Sequence, residues 1–295
     1  MKNNEFKILL FHGVIKKKEN KIRNYNNKHI LEKKFYKNLK ELKKKHVFLS
    51  IDEICFYIKN RINLPKNSLS ISFDDGFENN YSVAAPILDE LKIPATFYFS
   101  TDFIENNSIS WIDKLEYCLE NKKKGEVSLP WSNKKFNFNN IKSKIKLLNL
   151  IRKNVKNNFK IDVNDFVSSF FYQMKEKEPV SLNSSIDKKI NWKKVKNLNE
   201  NNLFTIGGHS HNHISLGSLS TKRINFEITK SFSLFKNRIK VNLKHYSYPE
   251  GQKIDFNTKI INKLKRKGVI CCPTAIKGTN NLNSDLFKLK REMIT

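Results

Sequence analysis

The chain has 295 residues, 39% of them hydrophobic and 22 of them Phe, enough for one large α/β domain or two smaller ones and too apolar for wholesale disorder. A formal net charge of +28 points at first sight to a polyanionic partner. The excess is nearly all Lys, scattered along the chain beside abundant Asn, Ile and Phe, as AT-rich coding would give, and Arg is scarce. A nucleic-acid partner is therefore set aside, and loose attraction to an anionic membrane surface or glycan is the reading left for the charge.

In chain order, "FKILLFHGV" (6–14) predicts a buried strand ending at His12, and a Lys/Asn-rich loop follows. "EKKFYKNLKELKKKH" has helical spacing through Phe35, Leu39 and Leu42. "SLSISF" (68–73) is a strand, "NYSVAAPILDELKI" a helix ending before Pro94, and "ATFYFS" (95–100) another strand. This alternation predicts a parallel sheet or barrel. From about 105 to 200 the pattern is helical and polar, with strand signals only at "EVSLPW" and "KKFNF". It reads as an insertion within one domain spanning 1–295. Strands resume at 203–208, 243–248 and 268–274, with helices at 221–238 and 256–267.

Cys55, Cys118, Cys271 and Cys272 show no C-x-x-C spacing and read as buried, reduced thiols. The N-terminal stretch has too short an apolar run for a signal peptide, and no segment approaches a membrane span, so the expectation is a cytoplasmic protein, with peripheral contact at the inner membrane face as an option.

Chemically capable residues recur just after strand-like runs: His12, the doublet Asp74–Asp75, His209, and Pro249 after "HYSY". In a parallel barrel these ends gather at one face. "HSHNH" (209–213) holds His209 and His213 at i, i+4, on one face and about 6 Å apart if the turn is helical, with His211 pointing elsewhere. Such histidines can also be surface residues, and "DDG" can be an Asx turn. Together, two imidazoles and one carboxylate make a metal site with an open position. The second carboxylate is then free to take a proton from a water ligand whose pKa the ion lowers towards about 7.

"SFDDG" resembles the T-F-D-D-G motif of the polysaccharide deacetylases (the NodB-homology domain, carbohydrate esterase family 4), and "HSHNH" and "YSYPEG" are similar to that family's second and third motifs. The resemblance implies a distorted, seven-stranded, TIM-like (β/α) barrel that removes an N-acetyl group from an amino sugar of a cell-surface glycan; the missing signal-peptide pattern leads to the expectation of its lipid- or nucleotide-linked precursor as substrate. The resemblance also implies Asp74 as base and Asp75, His209 and His213 as ligands of a divalent ion, with zinc first and cobalt, nickel, manganese or iron also compatible. It implies that Tyr248 and Pro249 line an acyl pocket, with a backbone N–H near Glu250 holding the oxyanion. There are departures. The family's third-motif Arg falls at Ser247, for which Arg291 is a candidate substitute. Glu250 stands where a Tyr is usual, and the late Leu-x-His motif is missing. "LFHGV" is similar to the Y-H-x-V motif of the branch of poly-N-acetylglucosamine deacetylases, which makes His12 the expected general acid, against the alternative of a core histidine. Trp111 and Asp113 are expected to shape the sugar site or, equally, to be a buried Trp with a capping Asp. Two other readings are carried forward: a deformylase or other amidase on the same barrel, and an inactive glycan-binding protein.

Overall fold

A computed structural model describes residues 4–18, 22–158 and 160–295. The first three residues of the N-terminal stretch and part of the Lys/Asn-rich loop lie outside it. The strands are β1 Glu5–Phe11, β2 Gly13–Ile15, β3 His29–Leu31, β4 Val47–Phe48, β5 Ser68–Phe73, β6 Ala95–Phe99, β7 Gly125–Val127, β8 Phe136–Phe138, β9 Phe204–Gly208, β10 His245–Tyr246, β11 Asn280–Asn281 and β12 Glu292–Met293. The α-helices are α1 Glu32–Lys43, α2 Ile51–Asn60, α3 Ala85–Glu90, α4 Thr101–Asn106, α5 Trp111–Asn121, α6 Ile141–Asn157, α7 Val163–Gln173, α8 Trp192–Glu200, α9 Thr221–Ile239 and α10 Thr258–Arg266; a π-helical turn, Asn80–Ala84, leads into α3.

The main sheet runs β10-β9-β6-β5-β1-β11, with β12 on β1 and β4 on β5. The pairs β1/β5, β5/β6, β6/β9 and β9/β10 are all parallel. Their side chains are buried on both faces, which is why β5 and β6 read as continuous apolar or small-residue runs. Phe11, Phe73, Phe97 and Phe99 stack in sequence between the strands and cover α1 through Phe35 and Leu39. In α1 those two residues are spaced i, i+4 as the sequence predicts.

The closed seven-stranded barrel is not found. The sheet is open, a curled half-barrel whose ladder stops between β10 and β1. Residues 268–274, expected as a strand, make a single bridge, His245 to Cys271, and scattered bonds to 286–289, such as Cys272 N–H to Leu286 O at 2.9 Å. Pro273 sits in this run and has no N–H to give, so a regular ladder cannot pass through it.

The 105–200 stretch is mostly helical, as its pattern predicts, and β7 and β8 form a separate antiparallel pair. Helices α5, α6 and α7 bury their own apolar cluster, including Leu115, Leu147, Ile151 and Phe170, which Ile22 of the N-terminal loop joins. Among the described residues no helix is long and apolar enough to cross a membrane.

Candidate active site

Because β1, β5, β6, β9 and β10 are parallel, the residues that follow them meet at one face. Asp74 continues β5, its N–H bonded to Phe11 O at 3.0 Å, and His209 continues β9, its N–H bonded to Phe99 O at 2.9 Å. His12 leaves β1 half-buried, and Gly13 behind it lets the chain press against β3. A Cβ on Gly13 would stand 2.0 Å from His29 Nδ1 and 2.7 Å from Asn79 Oδ1.

Asp74 and Asp75 are both buried, at 4% and 6% exposure. Arg291, 1% exposed and just ahead of β12, grips Asp74 with both terminal nitrogens, at 2.8 and 2.7 Å, and is itself held by Thr274 O at 2.6 Å and Ser72 Oγ at 3.2 Å. Ser247, in the position of the family's Arg, also donates to Asp74, at 3.3 Å. Burial pushes the Asp74 carboxyl up, but the Arg291 guanidinium and then His209 outweigh it, and Asp74 lies below the usual carboxylate range.

Asp75 Oδ1 stands 2.9 Å from His213 Nε2 and 3.7 Å from His209 Nε2, and one donor atom from each of the three lies within 4.8 Å of the others. Burial opposes charge on Asp75, yet His213 holds it well below the usual range, while burial lowers the His213 ring and Asp75 more than restores it. His209 is driven down to about 4 by burial against the pull of Asp74. Its Nδ1 lies 2.9 Å from Ser247 O, a bond that needs the proton on Nδ1 and leaves the Nε2 lone pair facing two carboxylates. A lone pair aimed at anions at 3.7 and 3.9 Å fits a cation between them. Two nitrogens and a carboxylate oxygen suit a zinc-like divalent ion.

The histidines do not share a helical turn. Residues 209–215 are a loop, with Ser210 at φ 62° and His213 at φ 51°, and it is this reversal that brings the two rings to 5.0 Å between centroids. Asp75 (φ 76°) and Glu250 (φ 62°) are left-handed as well, at a cost of about 1–3 kcal/mol each that the surrounding fold must sustain. His211 turns away, to Thr101 Oγ1 at 2.9 Å.

Beside His213 opens a cleft of about 1260 Å³, lined on one side by Phe103, Asn212 and Glu250 and on the other by Trp111, Arg152 and Val163. Phe103 stacks on the His213 ring at 5.3 Å; its place in the turn after β6 was the available signal, and sequence reasoning missed it. Of the third-motif residues, only Glu250 lines the cleft, paired with Lys156 of α6. The Tyr248 ring turns into the core, stacked on Phe256 at 4.4 Å, and Pro249 is buried beside it. Asp113 does not reach the cleft. It is buried against Lys28 at 2.6 Å and accepts from Ser110, the residue that caps α5.

Comparison with known proteins agrees with this geometry. The polysaccharide deacetylase family model matches residues 61–271, well over half of the chain and including both the aspartate doublet and the histidine loop. Poly-beta-1,6-N-acetyl-D-glucosamine N-deacetylase from Staphylococcus aureus is 34% identical over 95 residues, a match that spans 32% of this chain and only 31% of that protein. Among solved structures, the Streptococcus pyogenes deacetylase PplD in complex with acetate is similar over 98% of this chain and 92% of its own, with a TM-score of 0.61 at 15% identity. IcaB from Ammonifex degensii is similar over 99% and 92%, with a TM-score of 0.62 at 15% identity. At that identity the likeness is one of fold. The extent of the family match, and the donors meeting at its strand ends, place this chain in the polysaccharide deacetylase family.

Proposed function

We propose that the protein is a metal-dependent hydrolase that removes an N-acetyl group from an amino sugar of a glycan. The observation that carries this reading is a buried carboxylate clamped by Arg291 beside a separate Asp75–His209–His213 donor group, whose His213 lines a large cleft. The cleft exceeds the roughly 300–1,000 Å³ usual for one small ligand, which favours a substrate of several sugar units. Residues of about 105–200 are read as an insertion into a single domain that supplies the second wall of this cleft.

Asp75, His209 and His213 would hold the ion. When bound, a divalent ion acts as a Lewis acid, lowering the pKa of a coordinated water and polarising the amide carbonyl. Asp74, kept ionised by Arg291, accepts the proton of the attacking water as general base. Arg291 fixes both carboxylate oxygens and so sets the direction from which Asp74 receives that proton. Charge developing on the carbonyl oxygen is met by the Glu250 peptide N–H. Glu250 is the apex of a three-residue turn closed by Gly251 N–H to Pro249 O at 2.7 Å, and it lines the cleft. His12 gives a proton to the departing amine, and the Asp75 and Asp74 carboxylates favour its protonated form against the burial that lowers its pKa.

The test is metal content together with acetate release from N-acetylated substrates presented as polymer, lipid-linked sugar and nucleotide-linked sugar. Asp74→Asn should keep the metal and lose acetate release by about 10²–10⁴-fold. Formate in place of acetate would identify a deformylase, and a metal-free protein that binds glycan without hydrolysis would overturn the proposal.

A further inference from the structure

A second convergence of donors lies away from the strand-end site, at the seam where the sheet fails to close. Cys55 of α2, His245 of β10 and Cys271 of the 268–274 run are all buried, and one donor atom from each lies within 4.8 Å of the others. The three come from separate elements, and Cys55 and Cys271 share a core cluster with Phe6, Ile8 and Leu289. None of them belongs to the Asp75–His209–His213 group.

The imidazole is prepared as a ligand. His245 Nε2 is 2.9 Å from Asp52 Oδ1, on the same helix as Cys55 and one turn before it. A bond to a carboxylate needs the proton on Nε2, which leaves a lone pair on Nδ1, and Nδ1 is buried without a hydrogen-bond partner among the described residues. An unsatisfied buried polar atom is costly, and a ligand on it removes that cost. A carboxylate on the far nitrogen is the usual means of orienting a metal-binding histidine.

We propose that Cys55, His245 and Cys271 form a structural site for a thiophilic divalent cation of the zinc class, with Asp52 orienting the imidazole. Two thiolates and an imidazole are the donors such an ion prefers. On binding, each thiol gives up its proton, so the two positive charges of the ion are balanced by two thiolates and two protons pass to solvent. Three protein donors leave one position for a small fourth ligand. The ion ties α2 to β10 and to the 268–274 run, at the point where the latter two meet in the single His245–Cys271 bridge. The site is sealed from solvent and therefore loads as the chain folds.

The test uses the full chain refolded from denaturant with zinc or with cobalt. Sulfur bound to cobalt gives an intense thiolate-to-metal charge-transfer band in the near ultraviolet, and the strand-end site has no sulfur, so the band reports on this site alone. His213→Gln, which removes a donor from the other site, should retain the band and about one zinc per chain. Cys55→Ser should lose the band, and should this variant fail to fold, the wild-type and His213→Gln measurements decide alone. No band in the folded wild type overturns the proposal. So does a count of two free thiols in the denatured, unreduced protein in place of four, which would mean a Cys55–Cys271 disulfide.

Discussion

At the strand ends, two carboxylates are buried against one guanidinium and two imidazoles. Beneath the α5–α7 layer, Asp113 and Glu116 are buried against Lys28 and Lys189, with Arg23 paired to Asp187 beside them. The amounts of buried charge are similar, but their use differs. In the first group, donor atoms of Asp75, His209 and His213 converge within 4.8 Å of one another, beside an Asp74 held by Arg291. In the second group the charges satisfy one another and one is left over. Among the described residues the Lys189 ammonium has no hydrogen-bond partner, and it lies 3.7 Å from the Phe77 ring centroid and 4.8 Å from that of Phe103; burial lowers its pKa to about 8. Glu116, four-fifths of a turn from Asp113 on α5, is pushed up to about 7 by burial and then by Asp113. Converging unused valences mark a site for chemistry, whereas internal pairing with a residual strain marks a joint.

The largest expected effect separates the two groups by activity. His12→Gln should lower acetate release from an N-acetyl sugar by about 10²–10⁴-fold. It should have far less effect on an activated ester whose leaving group needs no proton. An equal loss on both substrates would mean that His12 supports the fold and donates no proton.

Arg291→Met tests whether the strand-end charges also depend on pairing for stability. Leaving Asp74 buried and unpaired should cost about 3–5 kcal/mol. A carboxylate whose pKa is lowered on folding contributes stability above its unfolded value of 3.8 and loses it as pH falls through the folded value. The variant should therefore lack the wild type's acid destabilisation below about pH 4, and the acid limb of its kcat/KM profile should move to higher pH. A melting curve unchanged across that range would contradict the role given to Arg291.

Lys189→Met probes the joint and should have the opposite sign. Replacing the unpaired ammonium should stabilise the protein by about 1–3 kcal/mol at pH 7, with catalysis retained. Between pH 8 and 10.5 the folded wild type has lost this proton while the unfolded chain still binds it, so wild-type stability rises and the advantage of the variant shrinks. A destabilised variant at pH 7 would show that the ammonium has a functional partner. Smallest is Lys156→Ala, which unties α6 from Glu250. This partly exposed pair should be worth less than about 1 kcal/mol, and its loss should raise KM for long substrates and leave kcat unchanged.

The strand-end site was legible because its residues sit at the ends of runs that alternate or stay apolar: "SISF" before Asp74, "FTIGG" before His209. What failed was local geometry. The i, i+4 spacing of His209 and His213 suggested a helical face, but left-handed residues at Ser210 and His213 make the same meeting in a loop, and nothing in the residue types marks that. Arg291 was reachable only through the vacancy left by Ser247, since the two partners of that ion pair are 217 positions apart. The joint was invisible for a compositional reason. Among 56 Lys and Arg residues, the few that are buried carry the same letters as the solvated ones. The closed barrel was overcalled because a single proline interrupts the strand that would have completed it.

The cleft has two walls of separate origin, one from the loops after β6, β9 and β10 and the other from α5, α6 and α7. The helical wall has its own apolar core, so side chains on it can change without moving the donors at the strand ends. In evolutionary terms the two walls are separable traits: drift or selection on the helical wall can reshape the cleft, while the donor group at the strand ends is inherited intact.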